Sequence, residues 1–87
     1  MSWNQFQQWQ RWDEFPERTE NPPMTVDFAF RYRGKRYFCT GEEFGFIIVD
    51  ADWNRLAYNK NFGELLETPI FLGKSFHQCL GEILIEE

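Results

Sequence analysis

The chain has little with which to do chemistry: one histidine, two cysteines and six glycines in 87 residues. The glycines stand singly, at positions 34, 41, 45, 63, 73 and 81. No glycine-rich loop is therefore present to cradle a phosphate, and nucleotide chemistry is not expected. No stretch approaches the roughly 18 consecutive apolar residues of a membrane-spanning helix. The polar, Gln-rich start from Met1 to Gln10 lacks the basic cap and apolar stretch of an export signal. Two cysteines in such a chain read as reduced and buried rather than as a disulfide, so the expected location is the cytoplasm of a bacterial cell, with no membrane partner.

Positive charge is also short. Nine Lys and Arg against fourteen Asp and Glu leave a net charge of -5. A small acidic protein of this kind is not built for broad adhesion to nucleic acid or anionic lipid, although a local basic patch remains open to it. What the chain holds in quantity is aromatic rings, 20% of its residues. That content excludes a disordered tail, and the length fits one small domain, residues 1–87. Within it, 1–15 reads as an aromatic helix, 16–23 as a linker around the Pro22-Pro23 pair, and 24–87 as sheet and short helices.

The helix opens on a capping box, Ser2 with Gln5, and Pro16 stops it. Trp3, Phe6, Trp9, Trp12 and Phe15 recur every third position. At about 100° per residue each step retreats about 60°, so from Trp3 to Phe15 the rings wind about 240° around the axis. One flat core cannot shield all of them, which makes Trp3, Phe6, Trp9 and Trp12 candidates for contact with a partner protein or a second copy.

From Met24 the period changes to two. Val26, Phe28, Phe30 and Tyr32 alternate with Asp27, Ala29, Arg31 and Arg33, predicting a hairpin over 24–40. A type II′ turn at Gly34-Lys35 would set Arg33 opposite Arg36, Tyr32 opposite Tyr37, Phe30 opposite Cys39 and Asp27 opposite Glu42. Further strands are predicted near 44–49, apolar on both faces and central, near 55–59, and at 82–86. A helical turn through Leu65 and Leu66 and a second capping box, Ser75 with Gln78, supply short C-terminal helical turns. Of the 17 aromatics, 11 lie between Trp3 and Phe44, so the first helix and the hairpin are expected to bury one another while the C-terminal elements close the other side of the sheet. The fold class is α+β: an N-terminal helix on an antiparallel sheet of four or five strands.

Charge is distributed unevenly. Residues 1–30 carry a net -3, residues 31–36 a net +4 and residues 37–87 a net -6. The basic segment holds Arg31, Arg33, Lys35 and Arg36 interleaved with Tyr32 and Tyr37, the pattern of a surface for single-stranded nucleic acid. Against that, charged hairpin tips keep sheets soluble, and the flanking acidic segments repel phosphate. The same hairpin has a basic tip and an acidic open end, Asp27, Glu42 and Glu43, a layout that steers contacts with a partner of mixed charge or with another copy head to tail.

Asp50-Ala51-Asp52-Trp53-Asn54 matches the first ligand positions of a calcium loop, but Arg55 stands where glycine is needed and Asn61 where a bidentate Glu is needed. His77 and Cys79 are two apart on a helix and point to different sides, so neither a shared metal nor a Cys–His pair is expected. No metal, no cofactor and no catalytic residue is assigned. The resulting expectation is a non-catalytic interaction or regulatory protein, self-associating or binding a partner through the aromatic helix. A nucleic-acid-binding module at the basic tip is the alternative.

Overall fold

The computed structural model describes residues 2–10 and 27–86. Trp12, Phe15 and the 16–23 linker lie outside those residues.

Helix α1 (Trp3–Trp9) begins on the expected capping box: the Ser2 hydroxyl accepts from the Gln5 backbone and the Gln5 side chain accepts from the Ser2 N–H. Then come β1 (Phe28–Tyr32), β2 (Lys35–Glu42), β3 (Gly45–Asp50) and β4 (Arg55–Asn59). Helix α2 (Phe62–Glu67), the ribbon of β5 (Pro69–Phe71) and β6 (Lys74–Ser75), and helix α3 (Phe76–Cys79) follow. A 3₁₀ turn (Leu80–Glu82) leads into β7 (Leu84–Glu86). The main sheet is antiparallel with order β4-β3-β2-β1-β7, which makes the fold α+β with five strands. The central strand is β2, not β3.

The β1–β2 turn differs from the predicted one. Arg33 and Gly34 both have positive φ, 51° and 80°, giving a type I′ turn. Arg31 therefore faces Arg36, and Phe30 faces Tyr37. This pairing is two residues from the predicted one, an even shift, so every side chain keeps its face. A type I′ turn needs positive φ at both central positions, so Arg33 takes the left-handed conformation that Gly34 adopts without strain.

A second difference is the placement of the layers. Helix α1 and the C-terminal elements pack on the same face of the sheet. Phe6 lies 5.7 Å from Phe28, 6.3 Å from Phe62 and 5.3 Å from Phe76, centroid to centroid. Phe30 and Ile48 join them in one core with Leu65, Leu66, Leu80 and Ile83. Alternation explains why. The hairpin has one apolar face, Phe28, Phe30 and Tyr32, whereas Ala29 and Arg31 point the other way, so both sets of covering elements must share that inner face.

Phe6 is fully buried. Trp3 and Trp9 are half-buried and packed on the core, Trp9 edge-on to Phe28 and Trp3 stacked on His77 at 3.8 Å. Three rings at this spacing span only about 120°, which one core face accommodates. Phe6 offers no surface to a partner in this fold, and contact through the described part of α1 falls to the open edges of Trp3 and Trp9. Replacing Phe6→Ala should cost about 3–5 kcal/mol, a large part of the roughly 5–15 kcal/mol that holds a domain folded. Chemical denaturation of wild type and variant measures it; a loss below about 1 kcal/mol would show that α1 does not depend on this anchor.

Candidate functional site: the uncovered face of the sheet

No described helix lies over the outer face of the sheet. From the register, that face carries Leu84 and Glu86 of β7, Ala29 and Arg31 of β1, Arg36, Phe38 and Thr40 of β2, Ile47 and Val49 of β3, and Tyr58 of β4. Its middle is apolar. Ile47 and Val49 are buried by their neighbours, yet neither belongs to the inner core. Trp53, Leu84 and Tyr58 are 65%, 71% and 45% exposed, and Phe44 beside them at the β2–β3 turn is 75% exposed. Phe44 was expected within the strand; its carbonyl instead accepts the Tyr58 hydroxyl at 3.1 Å. Exposed apolar residues gathered on one surface mark a contact site more often than scattered ones do.

Trp53 is placed by the turn read as a partial calcium loop. Asp50 Oδ1 accepts from the backbone of Asp52 and of Asn54, both at 2.9 Å, and Oδ2 accepts from the Asn54 side chain at 3.1 Å. These bonds, the Asn54 backbone first, hold the Asp50 carboxyl below its ordinary range. Its oxygens are occupied in closing the turn. Trp53 sits at φ 65° and folds back so that its indole lies parallel to the Phe38 ring, 5.1 Å between centroids and 2° between planes. The Arg36 guanidinium covers the same Phe38 ring at 4.9 Å. A shallow hollow beside the indole is lined by Asp27, Ala29, Phe38 and Thr40.

The predicted basic patch is divided between two surfaces. Arg31 and Arg36 lie on the outer face and share one carboxylate, Glu86, at 2.9 and 2.7 Å. The like-charged cross-strand pair is thus bridged by the neighbouring strand. Arg33 and Lys35 lie elsewhere, around a groove at the hairpin tip with Lys74, Tyr32, Tyr37 and Phe71. Arg33 is 3.9 Å from Glu82, with both side chains largely exposed. At the opposite end of the sheet Glu42 pairs with Arg55, while Asp27 accepts the Gly41 backbone N–H at 3.3 Å.

The residues weighed for catalysis are separated. His77 stacks on Trp3 and its Nδ1 meets the Glu67 carboxylate, whereas Cys79 is buried in the core. Cys39 is buried too, and its burial, with Asp27 nearby, holds its thiol far above the ordinary range and so protonated. The two cysteines are unpaired. Among the described residues no three of His, Cys, Asp and Glu gather at a spacing suited to a metal. No protein-family model matches this chain, and comparison with curated proteins and with solved structures finds no significant match.

Sequence reading assigned no site role to Phe38, Ile47, Val49, Trp53 or Tyr58. Two signals pointed to them: β3 is apolar on both faces, and an indole stands inside a turn otherwise made of Asp and Asn.

Arg31, then Arg36, hold the Glu86 carboxyl below the usual glutamate range. A depressed folded-state value means that the stabilisation is present above the ordinary glutamate value, about 4.3, and is lost as pH falls through the folded value. Thermal melts of Glu86→Gln should lie below wild type at pH 7 and converge with it toward pH 3. Parallel curves across that range would show that the clamp contributes nothing.

Proposed function

We propose that the chain is a non-catalytic protein–protein interaction protein whose contact surface is the outer face of the sheet. The observation that carries this reading is the Trp53–Phe38 stack, held in an open position on a face that no described helix covers. The partner implied has an apolar patch that meets Phe38, Trp53, Tyr58 and Leu84. Its charges run opposite to this face, acidic toward Arg31 and Arg36 and basic toward Asp27, Glu42 and Glu43. The half-buried Trp3 and Trp9, on the other side of the molecule, are the secondary surface for such contact.

Photo-crosslinking tests it. A crosslinking residue at position 58 or 84, in the outer face, should give adducts of discrete mass in the source cell. The same residue at Asn4 or Glu64, exposed on the other side, should not. Adducts at 4 and 64 alone would move the contact surface to the helical side.

A second reading has its own observation. Lys35 and Lys74 meet no carboxylate among the described residues, and with Arg33 they rim the groove floored by Tyr32, Tyr37 and Phe71. This is what remains of the nucleic-acid alternative. Tyr32 and Phe71 are buried, at 6% and 7% exposure, so only Tyr37 presents much ring for a base to stack on. Titrating labelled single-stranded DNA and RNA at physiological salt should show binding no tighter than about 10⁻⁴ M, the weak end of nonspecific association. Micromolar binding that is abolished by Lys35→Glu with Lys74→Glu would place this reading first.

A further inference from the structure

We infer that the groove at the hairpin tip is a binding site for a small amphipathic carboxylic acid, held as its anion with its apolar body between two turns. The site lies on the inner side of the sheet and is independent of what meets the outer face.

Two turns of the same kind wall the groove. Arg33-Gly34 closes the β1–β2 hairpin and Leu72-Gly73 closes the β5–β6 ribbon, with φ of 51° and 80° in the first and 52° and 87° in the second. The ribbon packs on the hairpin through Phe71, whose ring lies 4.6 Å from Tyr32 and 5.2 Å from Tyr37. Residues of both turns line the space above that contact, which measures about 540 Å³. Small-ligand pockets ordinarily enclose roughly 300–1,000 Å³.

The charge of the lining has one sign. Arg33, Lys35 and Lys74 line the groove, and among the described residues no carboxylate does. Lys35 and Lys74 meet no carboxylate at ion-pair distance among those residues either. The half-buried Tyr37 hydroxyl makes no hydrogen bond among them and is available to donate. Donors that converge without an acceptor are matched by an anion. The carboxylates outside the groove limit its charge. Glu82 lies 3.9 Å from Arg33, Asp50 stands opposite Tyr37 on β3 with its oxygens engaged in its own turn, and Asp52 follows in that turn. A single negative charge gains from direct contact with the lysines, whereas a second meets repulsion from these three. That favours a carboxylate over a phosphate.

The rest of the lining is apolar. Ile70 and the Tyr37 ring are half-buried, and Leu72 is 99% exposed. Leu72 therefore adds almost nothing to the core, although it holds a left-handed conformation that Gly or Asn adopts more readily. Cations alone would serve a phosphate strand; Leu72 and Ile70 beside them favour a ligand with an apolar body. Seated between the turns, that body covers Leu72 and the open part of Tyr37 while its carboxylate meets Lys35 and Lys74.

Titration of the isotope-labelled full chain with 2-naphthoate, followed by amide shifts in NMR spectra, tests this. Saturable shifts confined to residues 33–37 and 70–74 are expected, with a dissociation constant of about 0.1–1 mM for so small a ligand. The neutral 2-naphthylmethanol should bind about tenfold more weakly, as should naphthoate to Lys35→Gln with Lys74→Gln. Leu72→Asn, which keeps the turn and removes the apolar side chain, should weaken naphthoate about threefold. All three side chains are exposed, and circular dichroism checks that the variants fold; if the double variant does not, Lys74→Gln alone replaces it. Equal binding of acid and alcohol, undiminished affinity in the lysine variant or in Leu72→Asn, or shifts outside the groove would overturn the inference. So would 2-naphthyl phosphate binding more than about tenfold tighter than naphthoate, which would make this a dianion site. Displacement of naphthoate by micromolar single-stranded DNA would also overturn it and give the groove to nucleic acid. None of these results alters the crosslinks from positions 58 and 84, so the outer-face reading stands or falls separately.

Discussion

Phe28, Phe30 and Tyr32 point to one side of β1 and Ala29 and Arg31 to the other, so the hairpin has a single apolar face to offer. Phe30, in the middle, is fully buried and touches Tyr37, Phe71 and Phe76 at 5.1 to 6.2 Å. Burying a ring of that size contributes about 1.5–3 kcal/mol, and each covering element gains it only on this side. A helix docked over the tip half of β1 and β2 on the other face would meet Arg31, Arg36 and Glu86. Hence α1, α2, α3 and the β5–β6 ribbon all compete for one face, and the rings of Phe6, Phe62 and Phe76 interlock over it. The open outer face is the consequence of that one-sided alternation.

With no described helix above it, the outer face is held by contacts across its strands. Strand β7 has three residues, and Glu86 fastens it to β1 and β2 through two arginines. At the other margin the β3–β4 ladder is broken by a bulge at Ile48/Val49, and Arg55 reaches along the face to Glu42. A bulged margin and a three-residue margin both discourage a further strand from adding to the sheet. At Gly45 a Cβ would meet the Asn59 carbonyl at 2.7 Å and the Tyr58 ring at 3.0 Å, so only glycine lets β4 approach this closely. Growth at the edges is therefore hindered while the face itself is left open. Association by stacking is consistent with that difference, and association by strand addition is not.

Much of this architecture was legible in the sequence because the signals were local. Both capping boxes rest on side chains three residues from the backbone they bond, and strand faces follow from period two whatever the register. The hairpin shows the boundary. One glycine, Gly34, is compatible with a II′ turn at 34–35 or a I′ turn at 33–34, and both suit the strand twist, so the residues of the turn do not choose between them. The side of the sheet that each helix covers depends on contacts more than fifty residues apart in the chain, such as Phe6 with Phe62. The candidate surface was the least legible part. Trp53 looked like an ordinary member of an Asp-Asn turn, and its role emerges only when β2 brings Phe38 beneath it.

The backbone at Trp53 adds weight to an interaction role for this face. A bulky residue with φ near 65° costs about 1–2 kcal/mol relative to the right-handed or extended regions. The parallel stack on Phe38 returns about 0.5–1.5 kcal/mol beyond the apolar area it buries. The outer surface of the indole adds nothing while it faces water. Asn or Gly would adopt the same conformation with less strain and would keep the Asp50-centred bonds that close the turn. In one chain alone Trp53 leaves most of its ring in water, at 65% exposure. Its large aromatic surface becomes favourable once both sides of the indole are covered, one by Phe38 and the other by whatever packs against the sheet.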